Sequence, residues 1–216
     1  KMSHELRTPL NSILGFSDLL INTQNFTEKH IRWAGNIRSS GEQLLSLINE
    51  ILDLAKIEAG KMEVSITEFR FDDVSEGLLT MARPLAEKKN IDLQSVIPAD
   101  IKNLRQDRVK LRQILANLLS NAVKFTESGD VRLDVSEVSR TLEGVVLRFE
   151  VTDTGPGIAA DMAGRLFKPF ETGKSAGLGV GLALGRRIVE RMGGSLDLRN
   201  GAKEGVEVTL ILPGQV

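Results

Sequence analysis

From Lys1 to Gly60 the apolar side chains recur at steps of three and four with no strand signal, and from Met62 onward short alternating runs and separate helical stretches take over. That change of period predicts two domains, 1–61 and 62–216, because one layer of packed elements cannot follow both rhythms. In the first, a turn signal at Asn22-Thr23-Gln24-Asn25-Phe26-Thr27 separates two helices. Ile37, Gly41, Leu44, Ile48, Ile51 and Ala55 mark a bundle seam on the second helix, and Met2, Leu6, Leu10, Ile13 and Leu20 a stripe on the first. Two helices cannot enclose such a seam. An αα-hairpin that pairs with a copy of itself into a dimeric four-helix bundle is therefore predicted.

Beyond Gly60-Lys61 the pattern predicts strands at 62–66, 91–97, 130–138, 145–153, 195–200 and 205–212 and helices near 72–89, 107–125 and 180–193. Their natural packing is an α+β two-layer sandwich of mixed sheet against helices. The 28 basic and 29 acidic residues nearly cancel, and no long Lys/Arg run marks a nucleic-acid or anionic-membrane surface. With no cysteine, disulfides, thiolate zinc sites and a cysteine nucleophile are excluded. No apolar stretch approaches the ~18–20 residues of a membrane span. A cytoplasmic location is expected for these 216 residues, with any membrane anchor in flanking segments, since the helical pattern is already running at Met2.

Several clusters carry chemistry. On the helix at 107–125, Leu111, Leu115, Leu118, Leu119 and Ala122 form a core face, while Asn117, Asn121, Lys124 and Phe125 gather beside it. That second stripe is either a solvated flank or a binding face. Asn is a poor helix former, so two at i and i+4 need a reason. Asp153 keeps the parity of Val145, Leu147, Phe149 and Val151, which aims its carboxylate inward, where it needs a donor. Asp153-Thr154-Gly155-Pro156-Gly157 reads either as a plain turn or as backbone that approaches a ligand. Gly177-Leu178-Gly179-Val180-Gly181 leads into a helix, as an anion cradle does, yet no strand precedes it as in a Rossmann turn and its last glycine is not followed by the Lys-Ser/Thr of a Walker loop. His4, followed by Glu5, Arg7, Thr8 and a helix-weakening Pro9, has a setting that the other histidine, His30, lacks.

Taken together, these motifs closely resemble the sensor histidine kinases of two-component signalling. Ser3-His4-Glu5-Leu6-Arg7-Thr8-Pro9-Leu10 resembles that family's H box and Asn117 to Phe125 its N box. Asp153 to Gly157 resembles the first glycine box, Phe167-Lys168-Pro169-Phe170 the F box, and Gly177 to Leu182 the second glycine box. The resemblance implies a dimeric hairpin followed by a sandwich of the gyrase, heat-shock-chaperone and histidine-kinase ATPase type. It implies ATP and Mg²⁺ as ligands, with Asn121 on the metal, Asn117 assisting, Lys124 near the phosphates, Phe125 against adenine and Asp153 accepting from the adenine amine. Gly155 and Gly157 would let backbone approach the nucleotide, Gly177, Gly179 and Gly181 would line the triphosphate, and 170–176, with Phe170 and Lys174, would form a lid. His4 is then the phosphoacceptor, Glu5 its proton acceptor and Thr8 a residue for receiver dephosphorylation. The implied partners are a second copy of the chain and a response-regulator receiver domain.

Two departures stand out: the lid between Phe170 and Gly177 is short, and Val180 occupies a position where leucine is more usual. Competing readings are a phosphatase or scaffold and a hydrolysing ATPase of the chaperone kind. Asn117 stands where a hydrolysing relative carries a Glu base, and an amide cannot activate water.

Overall fold

The computed structural model describes residues 2–22, 27–141, 144–169, 171, 179–202 and 204–214, and for residues 2–9, 12 and 43 the backbone alone. The chain divides into two compact units, Lys1–Met62 and Glu63–Val216.

The first unit is a helical hairpin of α1 (Met2–Ile21) and α2 (Glu28–Glu58). Glu28 in the first turn of α2 and Lys56 in its last complement the helix dipole. Leu10 and Ser17 of α1 and Ala34, Gly41, Leu54 and Ile57 of α2 are buried. Arg38 ties the helices by an ion pair to Asp18 at 2.9 Å. The spacing grouped Gly41 with Ile37, Leu44 and Ile51, but the structure separates them. Gly41 is buried beside Leu14, whereas Ile37, Leu44 and Ile51 are exposed at 46%, 51% and 42%. A single 3–4 stripe therefore holds two faces, one turned to α1 and one left open.

The second unit contains β1 (Thr67–Arg70), α3 (Phe71–Lys88), β2 (Ile91–Val96), β3 (Asn103–Gln106), α4 (Arg108–Phe125), β4 (Gly129–Arg140) and β5 (Val145–Asp153). It continues with α5 (Ala160–Ala163), α6 (Gly181–Arg191), β6 (Ser195–Asn200) and β7 (Val206–Gly214). Five strands form a mixed sheet in the order β2-β4-β5-β7-β6, with β2 parallel to β4 and the other pairs antiparallel. Register places Val135 opposite Phe149 and Phe149 opposite Leu210, so alternate residues of three strands share one apolar face. Against it lie Phe71, Val74 and Leu78 of α3, the leucines of α4, and Leu184, Ile188 and Val189 of α6, all buried. The Phe71 and Phe149 rings meet at 5.5 Å between centroids. Each such buried side chain contributes about 2–3 kcal/mol. The opposite face is charged, with Arg132 paired to Asp134 and Arg199 to Glu207. This is the two-layer sandwich that the element pattern implied.

The sequence reading placed a strand at 62–66, but that segment is irregular, and the strand is Thr67–Arg70, antiparallel to β3. The cause is a side chain. Asp107 Oδ2 accepts the Ser65 N–H at 2.9 Å, so that backbone donor is taken by a carboxylate and not by a ladder. The other oxygen of Asp107 caps α4 by accepting from Lys110 N–H at 2.9 Å.

Candidate active site

The site gathers where α4, the end of β5 and the turn after β6 converge. Leu118, Asn121, Ala122 and Phe125 of α4 wall a cavity of about 380 Å³ that Val151, Asp153, Gly157, Ile158, Met162, Leu198, Val206 and Val208 complete. Its lining is apolar except for Asn121, Asp153 and stretches of backbone. A deep apolar slot with a few fixed polar groups suits a flat heterocycle.

Asp153 is the anionic group in that slot. Its Oδ1 accepts from Gly155 N–H at 2.8 Å and Val206 N–H at 3.3 Å, which leaves Oδ2 outside both bonds. Burial pushes its pKa up, and those two backbone donors pull part of the way back. Gly205 packs directly on the Asp153 carbonyl. A Cβ at 205 would lie 1.7 Å from that oxygen, and φ there is +77°. Only glycine fits.

Asn121 and Asn117 are coupled, with Asn121 Nδ2 donating to Asn117 Oδ1 at 3.3 Å. The Asn121 amide oxygen is thus not used in the pair. Asn117 in turn abuts the start of α6, where a Cβ at Gly181 would stand 2.6 Å from Asn117 Oδ1. Among the described residues no side chain caps the first turn of α6, and no acidic residue sits in it, so its N–H groups present an anion-favouring end toward the Asn pair. The guanidinium of Arg186, one turn along α6, lies 4.6 Å from the Phe167 ring centroid.

The structure brings Asn121, Phe125, Asp153 and Gly157 to one cavity, with Asn117 and Gly181 alongside and Gly179 immediately before α6. Gly155 lines a neighbouring cavity of about 580 Å³ behind the same loop. Lys124 is exposed, 5.3 Å from the Phe125 ring centroid, and does not line the cavity. Phe170, Lys174 and Gly177 lie outside the described residues. His4, Glu5 and Thr8 fall within α1, in the other unit. Sequence reasoning missed the apolar wall of Ile158, Met162, Leu198, Val206 and Val208. Val206 and Val208 share a strand parity with core Leu210, a signal that was present but indistinguishable from core packing.

Residues 106–216 match the family model for the histidine kinase-, DNA gyrase B- and HSP90-like ATPase, and residues 1–60 match that for the His Kinase A (phospho-acceptor) domain. The chain belongs to the sensor histidine kinases of two-component signalling and carries both the phospho-acceptor and the ATPase parts of a protein histidine kinase. It is similar to the sensor protein GacS of Pseudomonas syringae pv. syringae, 39% identical over 98% of this chain and 24% of that protein. It is also similar to the non-motile and phage-resistance protein of Caulobacter vibrioides, 40% identical over 98% of this chain and 26% of the relative. A third relative is the autoinducer 2 sensor kinase/phosphatase LuxQ of Vibrio parahaemolyticus, 37% identical over 99% of this chain and 26% of that protein. The chain thus spans about a quarter of the length of these curated relatives. Among solved structures, full-length ShkA in complex with AMPPNP superposes with a TM-score of 0.80 at 35% identity, covering 100% of this chain and 45% of that one. The catalytic domain of histidine kinase ThkA superposes at 0.61 with 27% identity, covering 69% of this chain and 95% of that domain. No helix among the described residues is long and apolar enough to cross a membrane.

Proposed function

We propose that this chain is the kinase core of a two-component sensor that binds ATP in the cavity beside Asp153 and phosphorylates His4. The phosphoryl group then passes to an aspartate of a response-regulator receiver. In this reading residues 1–61 dimerise and carry the phosphoacceptor, and residues 62–216 bind nucleotide. The carrying observation is the single carboxylate in an apolar slot, half engaged by backbone donors and half open to accept from an exocyclic amine.

Adenine lies between Phe125 and the aliphatic wall, its amine donating to Asp153. Gly155 and Gly157 keep the backbone close to the base, and the triphosphate runs toward the uncapped start of α6 at Gly179 and Gly181, where helix N–H groups accommodate negative charge. Lys124 adds positive charge at the rim, and Lys174, Gly177 and Phe170 belong to the lid that closes over the phosphates. The residues present fit Mg²⁺. The Asn121 amide oxygen is a hard neutral donor, and its nitrogen is fixed by Asn117. Among the described residues no group of three or more His, Asp or Glu could hold an ion alone, so Asn121 would hold it together with the nucleotide's phosphates and water, as is usual for this cation. When bound, Mg²⁺ neutralises charge on the phosphates. Neutral His4 attacks the γ-phosphoryl in line as its bond to the β–γ bridging oxygen breaks and ADP leaves, and Glu5 orients the ring and accepts its proton. Asn117, an amide, orients Asn121 and activates no water.

Incubation with γ-labelled ATP tests this. Acid-labile, alkali-stable label on the protein is expected, and His4→Gln removes it while ATP affinity stays within a few-fold. Label persisting on the His4→Gln protein, or released only as free phosphate by the wild type, overturns the reading.

A further inference from the structure

We infer that Asn200 is a positioning residue for adenine recognition, acting through the backbone of Ile158; the inference rests on the nucleotide reading of the cavity. Asn200 ends β6, 42 residues from Ile158 in sequence. Its Oδ1 accepts the Ile158 N–H at 2.6 Å and its Nδ2 donates to the Ile158 carbonyl at 3.1 Å. One side chain thereby replaces a strand partner for a residue that belongs to no strand. A primary amide can do this because it pairs an acceptor with a donor at the spacing of a backbone N–H and C=O.

The geometry explains why the clamp matters for the base. The segment from Asp153 to Ile158 is fastened to the β6–β7 hairpin at both ends. At one end Val206 N–H bonds Asp153 Oδ1. At the other Asn200 holds Ile158, whose side chain walls the cavity. The turn between the two fasteners is itself closed by Gly201 N–H on the Gly205 carbonyl at 3.0 Å. Asn200 does not line the nucleotide cavity. It lines the neighbouring one, behind Gly157, and so acts on the loop from outside. Freed at Ile158, the loop would keep its Asp153 anchor but lose the fixed wall that holds adenine in line with the carboxylate oxygen.

The test compares wild type, Asn200→Ala and Asn200→Ser in the whole chain. ADP and GDP binding are measured by calorimetry, KM and kcat by autophosphorylation, and the thermal midpoint by circular dichroism. Loss of two backbone-directed bonds at a recognition loop is expected to weaken ADP binding roughly five- to twenty-fold in Asn200→Ala. Asn200→Ser, which offers a single hydroxyl, should fall between and remains informative if the alanine protein folds poorly. GDP, whose base presents a carbonyl to Asp153, should change less than about two-fold, so ADP-over-GDP discrimination narrows. KM for ATP should rise with kcat within about two-fold. Wild-type protein that binds no ADP overturns the nucleotide reading and this inference with it. Wild-type binding with unchanged ADP affinity in both variants, or equal losses for ADP and GDP that track a lowered midpoint, overturns the inference alone.

Discussion

The two oxygens of Asp153 have different duties, and pH separates them. Oδ1 is committed to Gly155 and Val206, and the ionised group is the form that accepts from a nucleotide amine. Burial raises its pKa, so adenine-nucleotide affinity is expected to fall as pH is lowered through a titration lying above the ordinary carboxylate range. The stability sign is opposite. A carboxyl whose folded-state pKa exceeds its unfolded value binds its proton more tightly when folded, so the ligand-free unit gains stability as pH falls through that raised pKa. Asp153→Asn keeps an oxygen for the two backbone donors and removes the buried charge. It should raise the thermal midpoint at neutral pH, with the gain shrinking toward acid, while ATP affinity drops about ten- to hundred-fold through a lost charged hydrogen bond of ~1.5–3 kcal/mol. A pH titration of ADP affinity in both proteins, set beside their melts, checks both signs. A different division is expected on α1, where Glu5 adjoins His4 and Thr8 follows one turn later. Thr8→Ala should lose receiver dephosphorylation with autophosphorylation largely intact, and Glu5→Gln the reverse. Equal receiver clearance by Thr8→Ala and wild type would remove Thr8 from the site. At this scale the inward aim of Asp153 was legible because strand parity carries it. Asn200 read only as the last residue of a strand, because its role depends on a contact that the chain makes 42 residues away.

The helix that carries the Asn pair is held at its end by a cation from another element. Lys89, just past α3, places its Nζ 3.0 Å from Val123 O, 2.7 Å from Lys124 O and 2.9 Å from Thr126 O. Three carbonyls at a helix C-terminus are what an ammonium satisfies best, through its three donors and the dipole. Thr126 adds a hydroxyl bond to Ala122 O at 2.8 Å. Lys89→Met is expected to destabilise the second unit by about 1–2 kcal/mol. The single tryptophan, Trp33, lies in the first unit, so its fluorescence reports the hairpin alone while far-UV circular dichroism reports both units. In urea, the part of the circular dichroism transition that fluorescence does not follow should move to lower denaturant, and the fluorescence midpoint should stay. Legibility among elements followed the strength of local pattern. The long helices and the strands rich in Val, Leu and Phe were read to within a few residues, since period and burial agree there. β3, Asn103-Leu104-Arg105-Gln106, has no β-branched residue and was missed, and its partner β1 was displaced toward 62–66. Both strands exist through pairing with each other, which one-dimensional pattern does not record.

For the molecule as a whole, the proposed dimer turns on the open face of the hairpin. Phe16, Leu19 and Leu20 of α1 and Ile37, Leu44 and Ile51 of α2 are exposed, with Phe16 at 67% and Leu44 at 51%. Large apolar groups exposed in such number on a two-helix unit favour a covering partner, and in the proposed dimer that partner is a second copy of the same face. The split within the seam sharpens the test. Gly41 faces α1, so substitution there would perturb the hairpin itself, whereas Leu44 and Ile51 stand on the open side, two turns apart. Leu44→Glu with Ile51→Glu should leave the hairpin helical and place four like charges across a two-fold interface. Desolvating them costs several kcal/mol, enough to dissociate the dimer at micromolar concentration. Light scattering should report a monomer for the variant and a dimer for the wild type, with helical content and ADP affinity unchanged, because the second unit has its own core. Autophosphorylation in the variant then gives a further reading. Label that vanishes with dimerisation, in a protein that still binds ADP, means one subunit serves the other's His4, and label that persists means each serves its own. A variant that still scatters as a dimer would move the interface off Leu44 and Ile51.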